Sequence, residues 1–158
     1  MPKPLTDLER LFKALADTTR LRILGLLLAA RGERLGATPA VHHGPLAGEV
    51  CVCHIHESLR IPQPRASRHL AYLRRAGLVA ARKEGLWVHY RLTDAPDPVM
   101  AAIREAVIQA LGPIDAVRKD ADRLYRKTGC CVPVERPVPL TADRVAPMPV
   151  ATPPADGL

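Results

Sequence analysis

The side chains with the most pointed chemistry fall in one run, Cys51-Val52-Cys53-His54-Ile55-His56. Thiolates select soft ions and imidazoles suit borderline ones such as zinc, so this run is a candidate metal or metalloid site. A second thiol pair, Cys130-Cys131, stands far along the chain. Cadmium, lead or zinc takes about four ligands. The four cysteines supply them, or Cys51 and Cys53 do so together with His54 and His56. The bland alternatives are apolar packing for the cysteines and solvation for the histidines. A few residues on, Gln63, Arg65, Ser67, Arg68 and His69 follow a Pro-containing turn. Arginine reads guanine through two hydrogen bonds, glutamine reads adenine, and serine and lysine hold phosphate, so this second run suits DNA.

These runs need elements to position them. Residues 5–16 place Leu5, Leu8, Leu11, Phe12 and Leu15 on one face of a first helix, with Thr6 as N-cap and Glu9 completing a capping box. Asp17 or Thr18 caps a second helix, which turns Leu21, Leu24, Leu27 and Leu28 inward and leaves Arg20 and Arg22 off that face. Residues 31–48, with four Gly and two Pro, read as a loop that carries His42 and His43. A third helix covers about 50–59. Helical residues two apart point about 200° from each other, so Cys51 and Cys53 are expected to share an ion only if the helix start unwinds.

Pro62 ends the third helix, and a fourth covers about 64–76 before Gly77 stops it. It buries Ala66, Leu70 and Leu73 and exposes Arg65, Ser67, Arg68, Tyr72 and Arg75. Residues 78–92 alternate as two strands about a Lys83-Glu84-Gly85 tip, a basic β-hairpin. The fold class expected is therefore mainly α with a small β-hairpin, a winged helix–turn–helix. Two more helices, about 97–111 and 114–127, remain after that domain is complete and suit dimerisation. Seven prolines between Pro133 and Pro154, with no apolar period, read as a disordered tail.

The net charge of +7 suits an acidic polymer as partner, because Lys and Arg release counterions from a phosphate backbone. Apolar residues make up 47% and aromatics 3%, so the core is built from Leu, Ala, Ile and Val. No apolar run is long enough for a bilayer, and the opening residues lack the apolar centre of a signal peptide. A cytoplasmic protein with reduced thiols and no membrane association is expected. A thiol enzyme is not, since no Cys-x-x-Cys opens a helix after a strand and no parallel βαβ pattern is present.

Three segments, in order, resemble the ArsR/SmtB family of metal-sensing transcriptional repressors, and its arsenic-responsive branch above all. They are LFKALADTTRLRILGLL at 11–27, EVCVCHIHESL at 49–59 and PQPRASRHLAYLRRAGLVAARKEGLWVHYRL at 62–92. The resemblance implies a homodimer that binds a palindromic operator and is released when trivalent arsenic or antimony binds cysteine thiolates. It implies DNA contacts from Gln63, Arg65, Ser67, Arg68 and His69 on the recognition helix and from Arg82 and Lys83 on the wing. His69 is alternatively a packing or relay residue. A pyramidal site of three sulfurs, as in the arsenic sensors, takes two from Cys51 and Cys53. The third comes from Cys130 or Cys131 of the same or the partner subunit, unless that pair forms a site of its own.

Two departures from the family pattern stand out. His56 occupies the third position of the arsenic-sensor Cys-x-Cys-x-x-Cys box, and residues 97–127 hold no histidine for the family's zinc site. A cadmium-, lead- or zinc-responsive repressor and a thiol-redox switch remain open alternatives. The expected organisation is a DNA-binding domain at 1–95 with a loop insertion at 31–48, dimerisation helices at 96–128, and the Cys-Cys motif with its tail at 129–158.

Overall fold

A computed structural model describes residues 4–32 and 48–126. His42, His43, Cys130, Cys131 and the Pro-rich tail lie outside the described residues. The elements, in chain order, are α1 (Leu5–Leu15), α2 (Thr18–Ala30), β1 (Val50–Cys51), α3 (Val52–Leu59), α4 (Gln63–Arg75), β2 (Val79–Glu84), β3 (Trp87–Leu92), α5 (Pro98–Leu111) and α6 (Asp115–Tyr125). The fold is a winged helix–turn–helix. No helix among the described residues is long and apolar enough to cross a membrane.

At the centre lies α2, buried without a break from Ile23 to Ala29. A helix apolar on every side needs neighbours on every side, and α3, α4, α5, α6 and β3 all pack on it. Its start is fixed by Asp17, whose carboxylate accepts from the Arg20 amide at 2.9 Å. The capping box expected for α1 does not form. Pro4 is already the N-cap and its carbonyl accepts from the Asp7 amide at 2.9 Å. Thr6 therefore falls inside the first turn, and Glu9 pairs instead with Lys13.

The turn between α3 and α4 is closed by Arg60 in the left-handed region (φ 57). Its amide bonds the Glu57 carbonyl, and the next amide, Ile61, bonds the His56 carbonyl. Pro62, extended, then caps α4. Beyond Arg75 the chain stops helically at Gly77 (φ 75), where the Leu78 amide returns to the Leu73 carbonyl.

The wing has one strand more than its sequence suggests. The sheet order is β1-β3-β2, all antiparallel, with Val50 opposite Tyr90 and Cys51 opposite His89. Two residues are too few to show an alternation, so residues 50–51 read as the beginning of α3. On the far side, α6 crosses α2 at Gly25. A β-carbon there would stand 2.5 Å from Val117 Cγ1, so only glycine admits this approach.

Candidate thiol site and nucleic-acid interface

The expected divergence of Cys51 and Cys53 is overturned. Cys51 is the N-cap of α3 and is extended (φ −66, ψ 145), so helical geometry begins only after it. The two Sγ atoms lie 3.0 Å apart with no unwinding. An ion about 2.3 Å from each sulfur, the zinc–thiolate distance, needs only a small opening of this pair, so the two sulfurs fit a soft ion once both are reduced. Cys51 is 2% exposed and lies within the hydrophobic core, and Cys53 packs at the core's edge. The apolar packing role thus coexists with the ligand geometry. The Cys51 side chain is a thiol, whereas Cys53 is disulfide-bonded.

Among the described residues, the histidines beside the cysteines are not grouped with them as a set of three or more ligands. His56 Nδ1 lies 3.2 Å from the Ile61 carbonyl and braces the α3–α4 turn. Half-buried, His54 sits on the first turn of α3. Among the described residues, no group of three or more His, Cys, Asp or Glu is arranged to hold a metal. His89, buried and directly across the ladder from Cys51, has no counterpart in the sequence reading. Its burial depends on β1, which the sequence does not announce.

The α4 face separates into exposed and engaged groups. Gln63, Arg65 and Arg68 are exposed and Ser67 is half-buried. His69 turns inward, with Nδ1 3.6 Å from Asp17 Oδ1. Burial pushes its pKa below the ordinary value; Asp17 opposes this, but the charges of Arg20, Arg65 and Arg68 add to it. Tyr72 is not a bare surface residue. The Arg20 guanidinium lies over its ring at 4.2 Å and that of Arg75 at 5.9 Å. Arg20 also donates to the Ala14 carbonyl at 2.7 Å, so it ties the α1–α2 turn to α4.

On the wing, Lys83 is exposed while Arg82 is occupied. Arg82 donates to Glu49 at 2.8 Å and to Glu84 at 2.7 Å. Glu49 directly precedes β1, so this arginine joins the approach to Cys51 to strand β2. A second network also lacks a sequence signal. Asp120 of α6 is fully buried and accepts from Arg22 through both carboxylate oxygens, at 2.7 Å each, and from Arg123. Those arginines also donate to the Leu59 and Ser58 carbonyls at the end of α3. The sequence places Arg22 off the apolar face of α2; its partner, 98 positions away, is what the periodicity cannot reveal.

Residues 46–81 match the family model described as "Bacterial regulatory protein, arsR family". The chain is 39% identical to the arsenic resistance transcriptional regulator ArsR1 of Pseudomonas putida, over 63% of this chain and 64% of that protein. It is 46% identical to the arsenical resistance operon repressor of Escherichia coli, over 53% of this chain and 57% of that one. To the arsenic resistance transcriptional regulator ArsR2 of Pseudomonas putida it is 40% identical, over 63% of this chain and 71% of that protein. The chain thus spans somewhat less than two thirds of the first two relatives.

Proposed function

The chain belongs to the arsR family of bacterial regulatory proteins, and on that premise we propose that it is a metalloid-responsive transcriptional repressor. It binds operator DNA as a homodimer and leaves it when trivalent arsenic or antimony engages Cys51 and Cys53. The observation that carries this reading is the 3.0 Å approach of the two Sγ atoms at the junction of β1 and α3. Once bound, the ion supplies a link between the two sulfurs of the reduced chain. The third sulfur of a pyramidal site is assigned to Cys130 or Cys131.

The protein's own elements do the coupling. Cys51 lies in a strand paired with the wing, and Cys53 lies on the first turn of α3, which packs against α4. Any change in the Cys51–Cys53 separation bears on wing and recognition helix together, which is the differential stabilisation that release requires. Gln63, Arg65 and Arg68 of α4 read base edges in the major groove, while Ser67 and Lys83 hold phosphate. His69 acts as a packing and relay residue against Asp17. Arg82 braces the wing, since it reaches DNA only by giving up Glu49 or Glu84. Residues 1–95 carry the DNA-binding part; of the 96–128 segment, α5 supplies the dimer face together with the exposed side of α1, since α6 packs on α2 and α3 of its own protomer.

The test is fluorescence anisotropy on a labelled duplex selected by the reduced full-length protein from a random-sequence pool. Arsenite, antimonite, cadmium, lead and zinc are added in turn. Arsenite or antimonite is expected to release wild type but not Cys53→Ser. Release by cadmium, lead or zinc alone would move the assignment to a divalent ion, and release by none would sink the sensing claim. A second reading, a thiol-redox switch, is favoured by the disulfide at Cys53. Peroxide takes two electrons and two protons from a thiol pair and leaves a disulfide and water. DNA release by peroxide that dithiothreitol reverses, in the absence of metalloid, would establish it.

A further inference from the structure

The wing ends in two apolar side chains that the core does not use. Leu86 is 93% exposed and Trp87 is 43% exposed. They follow Gly85 (φ 58) in the turn that sets Glu84 opposite Trp87. The ladder with β1 reaches only His89 and Tyr90, so residues 82–88 run out beyond it. On this outer hairpin Lys83 is exposed, and Arg91 is exposed nearer the base, opposite Ala80. Isolated surface leucines are ordinary. A leucine at the outermost point of a basic hairpin, beside the only tryptophan of the chain, is placed to meet whatever the wing meets.

Apolar side chains such as leucine wedge between base steps in the minor groove, partly unstacking them, at sites where cationic neighbours hold the backbone. We propose that Leu86 is such a wedge. It enters the minor groove beside the stretch read by α4, Trp87 packs on the groove wall, and Lys83 holds a flanking phosphate. The wedge adds specificity without a base-edge hydrogen bond, because flexible pyrimidine–purine steps unstack more easily than others. This inference rests on the DNA-binding reading above and deepens it.

The experiment uses the full-length protein and a duplex it selects from a random pool, with 2-aminopurine placed at successive flanking steps. Wild type is expected to brighten the probe at one flanking step and to shift the emission of Trp87. Leu86→Ala should abolish the brightening and weaken binding about tenfold, the scale of one lost base-pair preference. The slope of affinity against salt should stay unchanged, since no phosphate contact is lost. Replacing the responsive step by a G·C step should weaken wild type and leave Leu86→Ala indifferent. Equal affinity of Leu86→Ala and wild type, or no brightening at any step, overturns the wedge alone. Failure of wild type to select any duplex overturns the DNA-binding reading with it. A change in sedimentation of Leu86→Ala without DNA would assign the tip to a protein contact and also overturn the proposal.

Discussion

At Cys51 two demands meet in one side chain. Its sulfur lies 3.0 Å from that of Cys53, yet the residue is 2% exposed and belongs to the core. Serine there places a hydroxyl in an apolar site, which costs on the order of 1–3 kcal/mol. Cys53 lies at the edge, so in the reduced protein, where its disulfide no longer contributes, Cys53→Ser should lose much less stability while losing the same metalloid response. Urea denaturation of both variants, beside the anisotropy titration, checks this; equal stability losses would contradict the burial argument. His69 offers a second residue-scale test. Its pKa is depressed, first by burial, so the fold prefers it neutral. Its contribution to stability is complete above the ordinary histidine value of 6.5 and is lost as pH falls through the lower folded value. Replacing His69 by Gln should flatten the fall in melting temperature over that window; an unchanged pH profile would remove His69 as its source.

At the scale of elements, two long-range ties decide how α3 is held. Its N-terminal end follows directly from a wing strand, with Glu49 anchored by Arg82. Its C-terminal end is gripped from α6 through Asp120 and the two arginines. Removing one partner of a buried pair leaves uncompensated charge, so Asp120→Ala should cost about 3–5 kcal/mol. Gly25→Ala forces a methyl against Val117 and should cost about 1–3 kcal/mol as overpacking. Most of that loss should return in Gly25→Ala/Val117→Ala, measured by thermal melting; no recovery would mean that the α2–α6 crossing is not what the glycine serves. These ties mark where sequence reading stops. The helices from α2 to α6 and the two wing strands are legible, because apolar period, Pro62 and Gly77 act locally. Strand β1 is too short to carry a period, and a buried aspartate on a polar helix resembles a solvated one until its partner is known. The thiol pair stands out in the sequence as candidate ligands but not as neighbours, since its geometry hangs on strand β1.

Among the described residues, the large apolar side chains left exposed outside the wing tip fall mainly on α1 and α5, with Ile114 just before α6. Leu15 of α1 lines one cavity with Met100, Ile103 and Val107 of α5, so the two helices border a common cavity. Leu5, Phe12 and Val99 on the same helices are exposed. In the homodimer proposed above, a second copy would cover this surface. The DNA side depends on it, because a twofold protein engages two half-sites about one helical turn apart, and each protomer alone makes only half the phosphate contacts. Phe12→Glu should therefore give a folded monomer by sedimentation equilibrium. It should bind a palindromic duplex no better than a single half-site, with the salt slope of log affinity cut to about half, in proportion to the phosphates released. Arg68→Ala, by contrast, should remain a dimer and lose preference at one base position per half-site. If Phe12→Glu stays dimeric and keeps its full salt slope, the α1–α5 surface is not the contact that pairs the two reading helices.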